Sequence, residues 1–158
     1  MRKISLVFLI AMVVFFFNQC SHYDEIQANG LESESGGRRS HNFGQDCMSC
    51  HNQAGNEASQ VYLYWKAAGS VYAQAHLGPA NSGQVELWSG RNRTGTLYAT
   101  LPIDPSGNFY SAKMIEYLGS YPAVVNAAGD YTYMSSALSK GSCNSCHDGV
   151  TQSQLELQ

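Results

Sequence analysis

Two copies of one pentapeptide constrain this chain more than anything else in it: Cys47-Met48-Ser49-Cys50-His51 and Cys143-Asn144-Ser145-Cys146-His147. Of the five cysteines, only Cys20 lies outside them. Each copy sets two thiols two residues apart and puts an imidazole directly after the second. Thiols so spaced can close a disulfide, chelate a metal, or add to two neighbouring unsaturated groups of one flat molecule. A histidine fixed behind them is surplus to the first two uses. It is needed by the third when the flat molecule carries a metal.

A CxxCH run is the attachment signature of a c-type haem, in which both cysteines bond covalently to the tetrapyrrole and the histidine is the proximal ligand of the iron. Three other chemistries use the same thiols. A thioredoxin-like centre needs a βαβ context and a cysteine at a helix N-terminus, whereas Cys47 follows the loop-forming run Asn42-Phe43-Gly44-Gln45-Asp46. Structural zinc favours sets of four cysteines, but these two pairs are far apart in sequence and each brings a histidine. Disulfides are the plain outcome in an oxidising compartment. The expectation is therefore two covalent haem c groups with iron, bound by Cys47, Cys50 and His51 and by Cys143, Cys146 and His147, with His51 and His147 proximal.

The two pentapeptides resemble those of dihaem c-type cytochromes of the bacterial envelope. The approach Ser40-His41-Asn42-Phe43-Gly44-Gln45-Asp46 is similar to the stretch in multihaem cytochromes where an upstream histidine caps an iron. Counting ligands gives the distal candidates. His22 falls in a polar segment, so His41 and His76 are the spare histidines, which points to bis-histidine ligation. Met114 and Met134 are the rivals, and a methionine ligand raises the potential. Either methionine is also an ordinary core residue.

The N-terminus reads as an export signal over residues 1–19. Arg2 and Lys3 precede an apolar run from Ile4 to Phe17 that is too short to span a bilayer comfortably. Cys20 follows at once and resembles the lipidated cysteine of a bacterial lipoprotein, although Phe17-Asn18-Gln19 departs from the usual residues ahead of it. Plain secretion is the alternative. Residues 20–40 are then a lipidated cysteine and a flexible tether, because Ser21 to Ser40 has almost no large apolar side chain to bury. The expected location is the periplasm or the cell surface, on a membrane through Cys20.

Between the motifs the pattern is that of strands. Val61 to Trp65 alternates, and short runs follow at Gly69 to Tyr72, Gln84 to Trp88, Thr96 to Ile103, Asn108 to Ser111, Tyr121 to Asn126 and Tyr131 to Ser135. Turn residues such as Asp104-Pro105-Ser106-Gly107 and Ala128-Gly129-Asp130 separate them. This spacing predicts a mainly β sandwich over 61–138, flanked by haem-binding segments at 41–60 and 139–158. The order of the segments Gly69 to Tyr72, Val85 to Leu87, Thr100 to Asp104 with Gly107 to Tyr110, and Gly119 to Val125 resembles the carboxypeptidase-regulatory or transthyretin-like sandwich, which implies seven strands. Ten tyrosines with Trp65 and Trp88 are expected to pack across those strands.

Function follows from these parts. A net charge of -3 without a basic run excludes nucleic acid. There is no Ser/His/Asp set, no phosphate loop and no carboxylate pair beside the histidines for acid/base work. The reading is a carrier, not an enzyme: electron transfer by iron cycling between ferrous and ferric, with redox proteins of the envelope as partners. Two alternatives stay open, a surface-binding β-sandwich with structural haems, and a small haem peroxidase or reductase with an open iron position. Haems in so small a domain are also expected to hold up its core.

Overall fold

The computed structural model describes residues 31–37, 40–52 and 64–158. Seven strands occur among them, in two sheets: β1 (Ala67–Tyr72), β2 (Gln84–Gly90), β3 (Thr94–Pro102), β4 (Asn108–Ser111), β5 (Tyr121–Val125), β6 (Tyr131–Tyr133) and β7 (Leu155–Glu156). The larger sheet has the order β3-β2-β5-β6 and is antiparallel throughout; the smaller has the order β4-β1-β7. The architecture is mainly β, as the strand spacing predicts, and its two sheets are consistent with a small sandwich.

Alternation decides which face each strand buries. Val85 and Leu87 of β2 face Leu101 of β3, Val124 of β5 and Phe109 of β4 in a core that also holds Val71, Ile103 and Leu138. On β1, Val71 faces this core while Ser70 faces the other way, yet both are almost wholly buried. A strand covered on both sides has to be packed from outside its own sheet. Here the cover is the segment before and around the first pentapeptide: Phe43 rests on Tyr72 with ring centroids 4.6 Å apart, and Trp65 stacks on Tyr110 at 4.4 Å.

Three expectations change. Of the expected strand Val61–Trp65, residues 61–63 lie outside those described, and Tyr64 and Trp65 are not in a strand; the seventh strand among the described residues lies elsewhere. It is β7, beyond the second pentapeptide, paired parallel to β1 through Val71 with Leu155 and Tyr72 with Glu156. The C-terminal segment is thus woven into the sandwich instead of being appended to it. The expected tether also ends early. Glu32 bridges Ser111, the Ser33 N–H donates to the Tyr110 carbonyl at 2.9 Å, and the Ser33 hydroxyl reaches the Pro102 carbonyl at 2.6 Å. A polar segment needs no apolar side chains to dock when its own backbone extends an open sheet edge. The signal segment, Cys20 and His22 lie outside the described residues.

Candidate functional site

Both pentapeptides fold into the same turn. In the first, the Cys47 carbonyl accepts from the N–H groups of Cys50 at 3.2 Å and His51 at 3.0 Å; in the second, the Cys143 carbonyl accepts from Cys146 at 3.1 Å and His147 at 2.9 Å. The serines match as well. The Ser49 hydroxyl donates to the Asp46 carbonyl and that of Ser145 to the Ser142 carbonyl, each at 2.7 Å. Asp46 opens the first turn, its carboxylate accepting from Met48 N–H at 3.1 Å. In the second motif this turn sets Cys143, Cys146 and His147 in the wall of one cavity.

The second turn grows out of the edge of β1. Residues 141–143 run alongside that strand, with Ala68 N–H donating to the Gly141 carbonyl at 2.9 Å and Cys143 N–H to the Ala68 carbonyl at 3.0 Å. The chain then leaves, and the next donor on the strand, Ser70 N–H, has no backbone partner there. The Asn144 side chain accepts from it at 2.7 Å. After the motif, β7 resumes the pairing. The pentapeptide is therefore a loop bulging from one parallel edge. Gly141 permits the approach, since a Cβ there would sit 1.7 Å from the Lys66 carbonyl oxygen. Gly69 does the same from the strand side, where a Cβ would lie 2.7 Å from the Phe109 ring and 2.9 Å from Cys143 Cβ.

Beside this turn lies a cavity of about 1020 Å³. Cys143, Cys146 and His147 stand in its wall with Phe109, Val124 and Leu155, so it opens from the motif into the space between the sheets. His147 Nδ1 is 2.6 Å from the Ser153 carbonyl oxygen. A carbonyl only accepts, so Nδ1 is the donor in this contact. The loop that returns Ser153 is shaped by Asp148, whose carboxylate accepts from Thr151 and Val150 N–H and is held below the usual carboxylate range by those bonds.

At the first motif the imidazole is enclosed instead. His51 is 7% exposed and stacks on Trp65 at 3.8 Å between centroids, 3° from parallel. The His41 ring centroid lies 5.9 Å from that of His51, tilted by 46°. His41 is positioned by its backbone carbonyl, which accepts from the Asn108 amide at 3.2 Å. Among the described residues no acceptor meets the buried Trp65 indole N–H.

The two sites share supports. Ser70 hydroxyl accepts from Gly44 N–H at 2.9 Å and donates to Asn108 Oδ1 at 2.6 Å, while the Asn108 amide also donates to the Ser40 hydroxyl at 3.0 Å. Ser70, Asn108 and Asn144 are all buried. The motifs touch directly where the Ser142 hydroxyl donates to the Asp46 carboxylate. None of these residues has a sequence signal; Asn144 could have been suspected only because it falls inside a motif.

No disulfide joins the motif cysteines. Burial pushes the Cys143 thiol up to about 12 and the Cys47 thiol up to about 11, where the carboxylates of Asp46 and Asp104 add to the effect. Both stay protonated at neutral pH.

The remaining expected ligands separate. His76 does not line the cavity; it sits 3.4 Å from the Glu156 carboxylate and edge-on to Tyr72. Counting histidines could not register that Glu156 returns on β7 beside it. Met134 does line the cavity, packed against the core. Met114 is 72% exposed between β4 and β5 and is not in the cavity wall. The described residues include no cluster of three or more His, Cys, Asp and Glu side chains that could hold a metal ion by themselves. A haem iron needs only axial ligands, since the tetrapyrrole supplies four.

Comparison with known protein families, with curated proteins and with solved structures found no match.

Proposed function

We propose that this chain is a dihaem c-type cytochrome that carries electrons in the bacterial envelope. The observation behind the reading is that two CxxCH segments take up the same turn, the second with Cys143, Cys146 and His147 all on the wall of a cavity of about 1020 Å³. Cys47 and Cys50 would hold the first haem c and Cys143 and Cys146 the second, with His51 and His147 as proximal ligands. The haem supplies the one-electron ferrous/ferric couple. The chain supplies the rest. The Ser153 carbonyl engages His147 Nδ1, which would leave Nε2 to bind the iron, and such a partner would also strengthen the ligand. Phe109, Val124 and Leu155, in the same cavity wall, would shield a haem held there from water. Trp65 gives the first motif an unused donor that a haem carboxylate would satisfy.

For distal ligands, His41 belongs to the first iron. Its ring centroid is 5.9 Å from that of His51, near the roughly 6 Å that two imidazoles on opposite sides of one metal would have with metal–nitrogen bonds of about 2 Å. Met134 replaces His76 at the second iron, because it shares the cavity wall with His147. Unlike ligands give the two irons unlike potentials, with the methionine-bound one higher. The scaffold is read as a transthyretin-like or carboxypeptidase-regulatory-like sandwich. Cys20, exported and lipidated, joins it to a membrane, and the partners are redox proteins met through small, transient interfaces.

The test is the optical spectrum and intact mass of the full chain matured where c-type haem attachment operates. Two covalent haems with reversible reduction are expected. A matured chain without any tetrapyrrole adduct sinks the reading. His41→Ala should then leave one iron high-spin, and Met134→Ala should alter the other.

One observation favours a second reading, a surface-binding module with structural haems. The outer face of the larger sheet exposes Tyr98, Tyr131 and Tyr133 around a buried Glu86, beside Arg93 placed 4.8 Å from the Tyr131 ring centre. Haems that are present yet cannot be oxidised and reduced at useful rates would move the assignment there.

A further inference from the structure

Asp46 and Ser142 hold the same place in the two halves of the site: each is the residue immediately before a CxxCH run. They also meet, the Ser142 hydroxyl donating to the Asp46 carboxylate. Asn144, inside the second run, accepts from Ser70 N–H, and the hydroxyl of that same serine accepts from Gly44 N–H on the approach to the first run. Ser70 and Asn144 are buried, so a shift that broke their bond would leave a buried donor and acceptor unpaired at a cost.

We infer that Ser142 and Asn144 are positioning residues that hold the two haems as one coupled pair across the Asp46–Ser142 contact. The inference rests on the proposed attachment of both haems. A change of oxidation state alters the charge of a site by one unit, and in surroundings drier than bulk solvent that charge reaches a neighbour with little screening. Reduction of one site therefore makes reduction of the other harder, and paramagnetic ferric centres held this way influence each other's spectra.

The experiment uses the full chain matured with haem, as wild type, Ser142→Ala, Ser142→Ala with Asn144→Ala, and Ser142→Thr, which keeps the hydroxyl. Haem stoichiometry by mass is measured first, then the electron paramagnetic resonance of the oxidised form and a redox titration. The wild type should carry two haems with spectra broadened by mutual interaction. The double variant should keep two haems while its signals sharpen into two independent ones and the two reduction steps draw together; Ser142→Thr should behave as wild type. If the double variant does not accumulate, Ser142→Ala alone carries the comparison and should show partial loss. Two haems with independent signals in the wild type overturn the pair and leave the electron carrier standing. Equal coupling in wild type and the alanine variants overturns the positioning role. A chain that takes up no haem sinks the carrier reading, and the pair with it.

Discussion

At the scale of single residues, glycine decides whether the second motif can reach the sheet at all. The clash a side chain would make at Gly141 is with backbone, the Lys66 carbonyl, which cannot swing aside as a side-chain tip can. Gly141→Ala should therefore cost about 3 kcal/mol or more, at the upper end of what overpacking costs, and a thermal melt of the purified protein checks it. Survival with an unchanged melting midpoint would mean that residues 141–143 do not pair with β1. Glu86 is a second such residue. Burial alone would push its carboxyl up, but hydrogen bonds from Trp88 at 2.7 Å, from Arg93 at 2.7 and 3.1 Å and from Gln84 at 2.8 Å outweigh that and hold it below the usual range. Glu86→Ala should destabilise by about 2–4 kcal/mol, since Arg93 and Trp88 lose their acceptor together. Because the folded-state value is depressed, this stability is complete above the ordinary carboxylate range and fades as acid is added. The variant should consequently show a flatter acid limb than wild type in a stability-versus-pH series.

At the scale of elements, β1 is the piece on which the smaller sheet and the second motif are registered. Its inward side meets the core, its outward side carries the approach to the first motif, one edge pairs with β4 and the other takes residues 141–143 and then β7. Ending the chain after Gln154 removes β7 together with Leu155 and Leu157, both packed against the core. At roughly 1.5–3 kcal/mol for a fully buried leucine, and less for these partly buried ones, the truncation should lower stability by about 2–4 kcal/mol, read from the denaturant midpoint. The strands that alternation marks plainly were legible: β4 lies at the expected residues, and β1, β2, β3, β5 and β6 differ only at their ends. β7 was not legible, because two paired residues make no period and Leu155-Glu156 is a strand only where Val71 and Tyr72 offer an edge. Leu31 to Gly37 escaped notice for a related reason, its pairing with β4 being carried by backbone and one serine.

At the scale of the whole molecule, the haem-free chain should be most sensitive to alkali. Both buried thiols have folded-state values raised above the ordinary cysteine one, to about 11 and about 12. The unfolded chain gives up these protons first, so stability holds up to about pH 9 and falls as pH rises through 11 and 12, by about 1.4 kcal/mol per pH unit for each thiol. Denaturation of the reduced, haem-free protein from pH 7 to 11 checks this, and alanine at both positions should remove most of the slope. Sequence alone determined the turn that each CxxCH run forms, because it is closed within five consecutive residues, the first cysteine's carbonyl accepting from the second cysteine and from the histidine: CxxCH is a local code. What only the tertiary structure decided is how the two codes relate. That Asp46 meets Ser142, that Met134 rather than His76 shares the cavity with His147, and that Glu156 comes to lie beside His76 all depend on segments distant in sequence meeting along β1. Such meetings are fixed by backbone pairing and buried polar contacts, which depend on where the chain goes and leave no period or motif in the residues themselves.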